Sequence, residues 1–182
     1  QVLKGYATRM CGCLAPPNAD FAQVECYKYD PALAQALFKE AGIDPGKLAL
    51  TLDTPSGRYP LNKDVSLAIA AQLQRIGIKV NVVVNEWGTH LDKIKNRNTG
   101  DLFFLGWGPA LAGQGTIEPL FKADQTYASY GNNKVLDDKI ARAGKLVDPK
   151  ARATAYAELQ KLIHDEAPWV FLWQQQDLSG GA

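Results

Sequence analysis

The sequence predicts an α/β fold, a central mixed sheet flanked by helices, on three observations. Helical apolar patterns alternate with short strand patterns through residues 30–107. Residues 78–84 alternate apolar and polar, the period of a half-buried strand, with Ile78, Val80, Val82 and Val84 on one face. Residues 102–107 run apolar, as a strand covered on both faces does.

The elements follow in order. Residues 1–29 carry Gly5, Gly12, Pro16 and Pro17 without periodicity and read as an irregular arm. Asp30 caps and Pro31 opens a helix whose apolar face is Leu33, Ala34, Leu37, Phe38 and Ala41, and Gly42 stops it. Residues 48–52 read as a strand and 53–61, with Pro55, Gly57 and Pro60, as a loop. A helix from Asn62 turns Val65, Ala68, Ile69, Leu73 and Ile76 inward and ends at Gly77, before the strand 78–84. A helix over 87–96 puts Trp87, Leu91 and Ile94 inside, and after a turn at 98–100 comes the buried strand 101–107. The stretch 106–115 is rich in glycine. A short helix near 116–121, a loop through Tyr130 and Asn133 and a helix near 135–147 follow. Asp148 and Pro149 open the last helix, with Tyr156, Leu159, Leu162 and Ile163 inward, and Pro168 ends it. Residues 169–173 read as the last strand. The expected organisation is an arm over 1–29, one α/β domain over 30–178 and a linker-like end over 179–182.

The chain has 182 residues, 46% hydrophobic and 21% charged, enough to bury a core. Its formal net charge of +1 implies no broad basic face, so nucleic acid is not an expected partner. The apolar runs 102–107 and 169–173 fall far short of the roughly 20 residues that span a bilayer. Residues 1–6 lack the hydrophobic stretch of a signal peptide, and a mature or trimmed chain looks the same. Of the three cysteines, Cys26 pairs with Cys11 or Cys13 if the chain is exported; otherwise all three are incidental thiols.

Enzyme signatures are missing from the sequence. His90, four residues after Glu86, reads as half of a surface pair, and His164 as a group on a solvated face at a helix C-terminus. No HExxH, Gly-x-Ser-x-Gly or phosphate-binding loop occurs. Gly106-Trp107-Gly108 begins like a dinucleotide fingerprint, but the third glycine is absent and Pro109 removes a needed N–H. Asp137-Asp138 and Asp165-Glu166 are adjacent, as solvated charges are. The expectation is no catalysis, no cofactor and no metal.

Aromatic and glycine-rich surface at strand ends is present instead. Open α/β sheets bind ligands beyond the carboxyl ends of their strands. Trp107 and Gly108 follow the apolar strand, Trp87 follows 78–84, and Arg58 and Tyr59 follow the first strand. These offer stacking surface, backbone N–H groups and a guanidinium for a carboxylate. A core role competes for Trp87 and Trp107, and a plain surface role for Arg58. Trp169 and Trp173 read mainly as core.

In combination, several motifs resemble the peptide- and nickel-type solute-binding proteins of ABC importers, bacterial extracellular solute-binding family 5. They are Tyr29-Asp30-Pro31, Glu40-Ala41-Gly42, Ile76-Gly77-Ile78-Lys79-Val80, Glu86-Trp87, Gly106-Trp107, Tyr130 with Asn132 and Asn133, Asp148-Pro149 with Arg152 and Tyr156, and Asp165-Glu166-Ala167-Pro168. The resemblance implies a periplasmic-binding-protein-like lobe, most of the C-terminal lobe of a two-lobe protein whose other lobe lies outside this chain. It implies a small-molecule or peptide ligand closed between lobes, delivery to an ABC transporter permease, and a place in the periplasm or on the outer face of a bacterial membrane. The membrane is then met only through the transporter. A sensor or interaction module without a transport role is the alternative. Peptide-binding members often carry an aspartate shortly after the Gly-Trp pair; here no acid appears between Trp107 and Glu118. Modified peptides, opine-like compounds, small sugars and metal chelates therefore stand beside peptides as expected solutes.

Overall fold

The computed structural model describes residues 2–108, 110–128 and 133–176. Pro109, Tyr130, Asn132 and the linker-like end at 179–182 lie outside the described residues. In chain order the elements are β1 (Ala7–Arg9), α1 (Pro31–Glu40), β2 (Ala49–Pro55), α2 (Asn62–Gln74), β3 (Lys79–Asn85), α3 (Trp87–Lys95), β4 (Leu102–Phe103), α4 (Gln114–Phe121), α5 (Lys134–Ala143), α6 (Pro149–Glu166) and β5 (Trp173–Gln175). They fall into two compact units, one made of 28–106 and one of 3–27 with 107–182. The division falls near 28 and 106 and puts the arm with the second half of the chain, while the boundary expected at 178 lies outside the described residues.

The 28–106 unit holds a parallel sheet in the order β3-β2-β4. The register runs from Ala49 opposite Lys79 to Pro55 opposite Asn85, with Leu52 opposite Leu102. Leu52, Val65, Ile78, Ile94 and Phe104 are buried. β2 continues through Asp53, Thr54 and Pro55, where a loop is expected, and all three are buried. The Asp53 carboxylate makes this possible by accepting from Asn85 Nδ2, Lys93 Nζ and Gly100 N, each at 2.6 Å. A buried charge needs such partners. On burial alone this carboxyl would titrate high; the Gly100 N–H, Lys93 and Asn85 outweigh that and hold it below the ordinary carboxylate range.

Two expectations change here. β4 keeps only Leu102 and Phe103, both half-buried, of the strand expected over 101–107. The Phe104 N–H still donates to Asp53 O at 2.8 Å, and then the chain leaves the ladder to cross the Tyr59 ring. At Gly106 a Cβ would stand 2.7 Å from Tyr59 Cε1, so only glycine passes there. In α1, Asp30 caps as expected by accepting from Leu33 N, but Leu33 and Leu37 are exposed and Ala34 and Phe38 are half-buried. The inward face is therefore narrower than the apolar pattern suggests.

In the other unit α4, α5 and α6 enclose Ile117, Leu120, Phe121, Leu136, Ile140, Tyr156, Leu159 and Ile163, all buried. Each such side chain contributes about 1.5–3 kcal/mol. β1 pairs antiparallel with β5, Ala7 opposite Gln175 and Arg9 opposite Trp173. Parallel and antiparallel pairing thus occur in separate sheets. The last strand begins at Trp173, where it was expected to end, because the preceding apolar residues serve packing: the Trp169 and Phe171 rings lie 6.1 and 6.4 Å from Phe121. The arm is irregular apart from β1, yet fastened. A disulfide joins Cys11 to Cys26, and Cys13 is left buried, its thiol pushed up to about 12 by burial. His164 is not on a solvated face. Its ring stacks on Tyr27 at 4.3 Å and 8°, and the Tyr27 hydroxyl donates to its carbonyl.

Candidate functional site

The carboxyl ends of β2, β3 and β4 share one edge of the parallel sheet. From β2 the chain passes to β3 on one side and then to β4 on the other. The gap between the β2 and β4 ends is therefore where the strand order reverses, the place where open α/β sheets bind ligands.

Three of the expected residues meet along this edge. Tyr59 donates its hydroxyl hydrogen to Gly106 O at 3.1 Å, which ties the segment after β2 to the segment after β4. Its ring meets Trp87 edge-on at 6.1 Å and 79°, and Phe104 at 5.8 Å. The Arg58 guanidinium lies 5.0 Å from the Trp87 ring centroid and 5.7 Å from that of Tyr59. Trp87 is half-buried and Arg58 exposed, so the aromatic rings serve as a platform for the cation. Arg58 forms no ion pair among the described residues. Its fork is open to a planar carboxylate.

Trp107 and Gly108 belong to the other unit. The Trp107 indole N–H donates to Gly115 O at 3.1 Å, and its ring stands edge-on to Tyr127 at 5.2 Å and 68°. The ring is 38% exposed, so it is not a core tryptophan. Gly108 is exposed, and a Cβ there would meet nothing within 4 Å.

The sequence reading misses what lies beneath the Arg58 platform. His90 is fully buried, not paired with Glu86 on the surface: its Nε2 lies 2.9 Å from Phe104 O and its ring 6.1 Å from Trp87. Glu86 caps α3 instead, accepting from Thr89 N at 3.2 Å. Burial holds the imidazole below its usual value, against the Phe104 carbonyl and the Asp53 charge. Asp53, Asn85 and Lys93 complete this support. Its one trace in the sequence is an aspartate continuing an apolar strand with no turn residue directly after it. Among the described residues no three His, Cys, Asp or Glu side chains cluster as metal ligands, and no helix is long and apolar enough to cross a membrane.

Residues 1–128 match the family described as "Bacterial extracellular solute-binding proteins, family 5 Middle". The chain belongs to this family. Membership places it on the extracytoplasmic side of a bacterial cell, in a family of binding proteins rather than enzymes. The glutathione-binding protein GsiB of Salmonella choleraesuis (strain SC-B67) is 30% identical over 178 residues, covering 91% of this chain and 34% of that protein. The family-5 chain thus spans about a third of the length of the curated relatives it matches. The periplasmic protein DppA from Helicobacter pylori, solved in complex with the peptide STSA, superposes with a TM-score of 0.81 at 28% identity, over 93% of this chain and 34% of that one. The murein tripeptide binding protein MppA of Escherichia coli, with a TM-score of 0.84 at 23% identity over 96% of this chain and 36% of that one, shares the fold.

Proposed function

We propose that this chain is the solute-gripping part of an ABC-importer binding protein, and that its solutes are peptide-like molecules with a free carboxylate. The observation that carries the reading is the Arg58 guanidinium, seated by Trp87 and Tyr59 at the carboxyl edge of the parallel sheet with no ion-pair partner among the described residues. A guanidinium resting against two rings is partly preorganised, so less freedom is lost when a carboxylate docks on it. Trp107 and Gly108 are proposed as further contacts, offering an exposed ring and open backbone. The relatives support the class: one is named for glutathione and one was solved with a tetrapeptide. Delivery to a membrane permease completes the proposed role.

The test is calorimetric titration of the native-length protein with glutathione, the tetrapeptide Ser-Thr-Ser-Ala and its C-terminal amide. The acid form should bind more tightly than the amide. Arg58→Ala should cost the acid about 1.5–3 kcal/mol, roughly 10- to 150-fold, and leave the amide unchanged. Equal binding of acid and amide would refute the carboxylate grip. Binding of none of these solutes, with a folded protein, would turn the reading toward a sensor or interaction module.

A further inference from the structure

The loop closed by the Cys11–Cys26 disulfide does more than fasten the arm. Its turn at 18–20 reaches the glycine-rich segment after Trp107 with three hydrogen bonds. Asn18 Nδ2 donates to Ala110 O at 2.7 Å, Ala19 N donates to Leu111 O at 3.0 Å, and Gly113 N donates to Asp20 Oδ2 at 2.7 Å. The turn is itself held: Asp20 N donates to Asn18 Oδ1 at 3.0 Å. Behind it, Arg152 of α6 grips both Asp20 oxygens at 2.7 and 2.6 Å, while Gln160 accepts from Ala22 N and donates to Asp20 O. Asn18 and Asp20 are both buried. Gly113 is pressed between the loop and α6, where a Cβ would stand 2.7 Å from Tyr156 Cδ1 and 3.1 Å from Asp20 Cβ. The Trp107 indole in turn hangs on Gly115 O. Residues 110–113 are therefore fixed by the clamp where they lead into α4, and the exposed ring is held by Gly115 in the first turn of that helix.

We propose that Asn18 and Asp20 are positioning residues for solute capture: held in the cystine-closed loop, they fix the segment that presents Trp107. This rests on the reading of Trp107 as a solute contact. The two residues touch no solute themselves; they set the indole's position before the solute arrives, which lowers the ordering cost of binding.

Asn18→Asp is the sharpest variant. It keeps the oxygen that accepts from Asp20 N and removes the donor to Ala110 O. The native-length protein is labelled with 5-fluorotryptophan, and the Trp107 fluorine resonance is assigned with Trp107→Phe. Asn18→Asp and Asp20→Asn should each shift or broaden the Trp107 resonance without solute, and leave those of Trp87, Trp169 and Trp173 in place. Glutathione and Ser-Thr-Ser-Ala should then bind about tenfold more weakly, close to 1.4 kcal/mol. Asp20→Glu should restore part of the affinity lost in Asp20→Asn. An unmoved Trp107 resonance in a folded Asn18→Asp protein overturns the clamp. A moved resonance with unchanged affinity overturns its part in capture, and places the fault with Trp107 as a solute contact. Loss of binding with Arg58→Ala alone, and not with Trp107→Phe, likewise overturns its part in capture while leaving the Arg58 reading intact.

Discussion

Each unit is built around one buried aspartate, and the two work differently. Asp53 sits inside a regular ladder, with its side chain 0% exposed, and draws donors from β3, α3 and the turn before β4. Asp20, 5% exposed, sits in a loop with no ladder and draws donors from α6 and the N-terminus of α4. Both carboxyls are held below the ordinary range despite burial, Asp53 chiefly by the Gly100 N–H and Lys93, Asp20 chiefly by the Arg152 fork and the Gly113 N–H. The Asp53 charge completes a sheet whose backbone bonds already exist. The Asp20 charge supplies acceptors for the Gly113 N–H and the Arg152 fork in a segment that has no ladder. One loss should loosen a folded layer, the other should release a loop.

Removing the Asp53 carboxylate should have the largest effect. Asp53→Ala removes a fully buried carboxylate and its three charge-assisted hydrogen bonds, each contributing about 1.5 kcal/mol or more, and should cost about 4 kcal/mol. Urea unfolding followed by circular dichroism measures it, and a midpoint near that of the parent would break the comparison. Opening the disulfide comes next. Cys11→Ser with Cys26→Ser frees a loop of 15 residues' separation, which should cost about 3 kcal/mol. Reduction of the parent by a dithiol should reproduce that loss. Asp20→Asn keeps the shape but loses the charge on the Arg152 fork, and about 2 kcal/mol should go with it. Amide exchange should rise at 110–115 more than in β2, since the lost contacts belong to the loop. Equal rises in both would erase the distinction.

Acid should produce the smallest change and still separate the units. Both carboxyls titrate lower folded than unfolded, so their stabilisation is complete above about pH 4 and is lost as pH falls through their folded values. His90 is likewise held low, so the folded 28–106 unit resists protonation that the unfolded chain accepts below about pH 6.5. Stability of that unit should therefore begin to decline at milder acidity than stability of the other. His90→Gln keeps a donor for Phe104 O and should abolish the milder step. Persistence of that step in the variant would assign it elsewhere.

Much of the Arg58 platform is legible in the sequence, because its parts follow from chain order. Arg58 and Tyr59 come just after one strand and Trp87 just after the next, and parallel strands send their ends to one edge. The support beneath it is not legible. Nothing local says that Asp53 is buried rather than in a loop, or that His90 points at Phe104 O rather than at Glu86. Those outcomes depend on β4 and α3 arriving from outside the local segment.

The sequence by itself determined the α/β class and where the proline-opened helices begin. Asp30 and Asp148 cap as their positions before proline predict, accepting from Leu33 N and Ala151 N, because a cap is settled within about four residues. Only the tertiary structure chose Cys11 as the partner of Cys26, paired the arm with the last strand, and set Asp20 between Arg152 and Gly113. Those contacts join segments far apart in the chain. Their free energy comes from burial and pairing that exist only once both segments are in place.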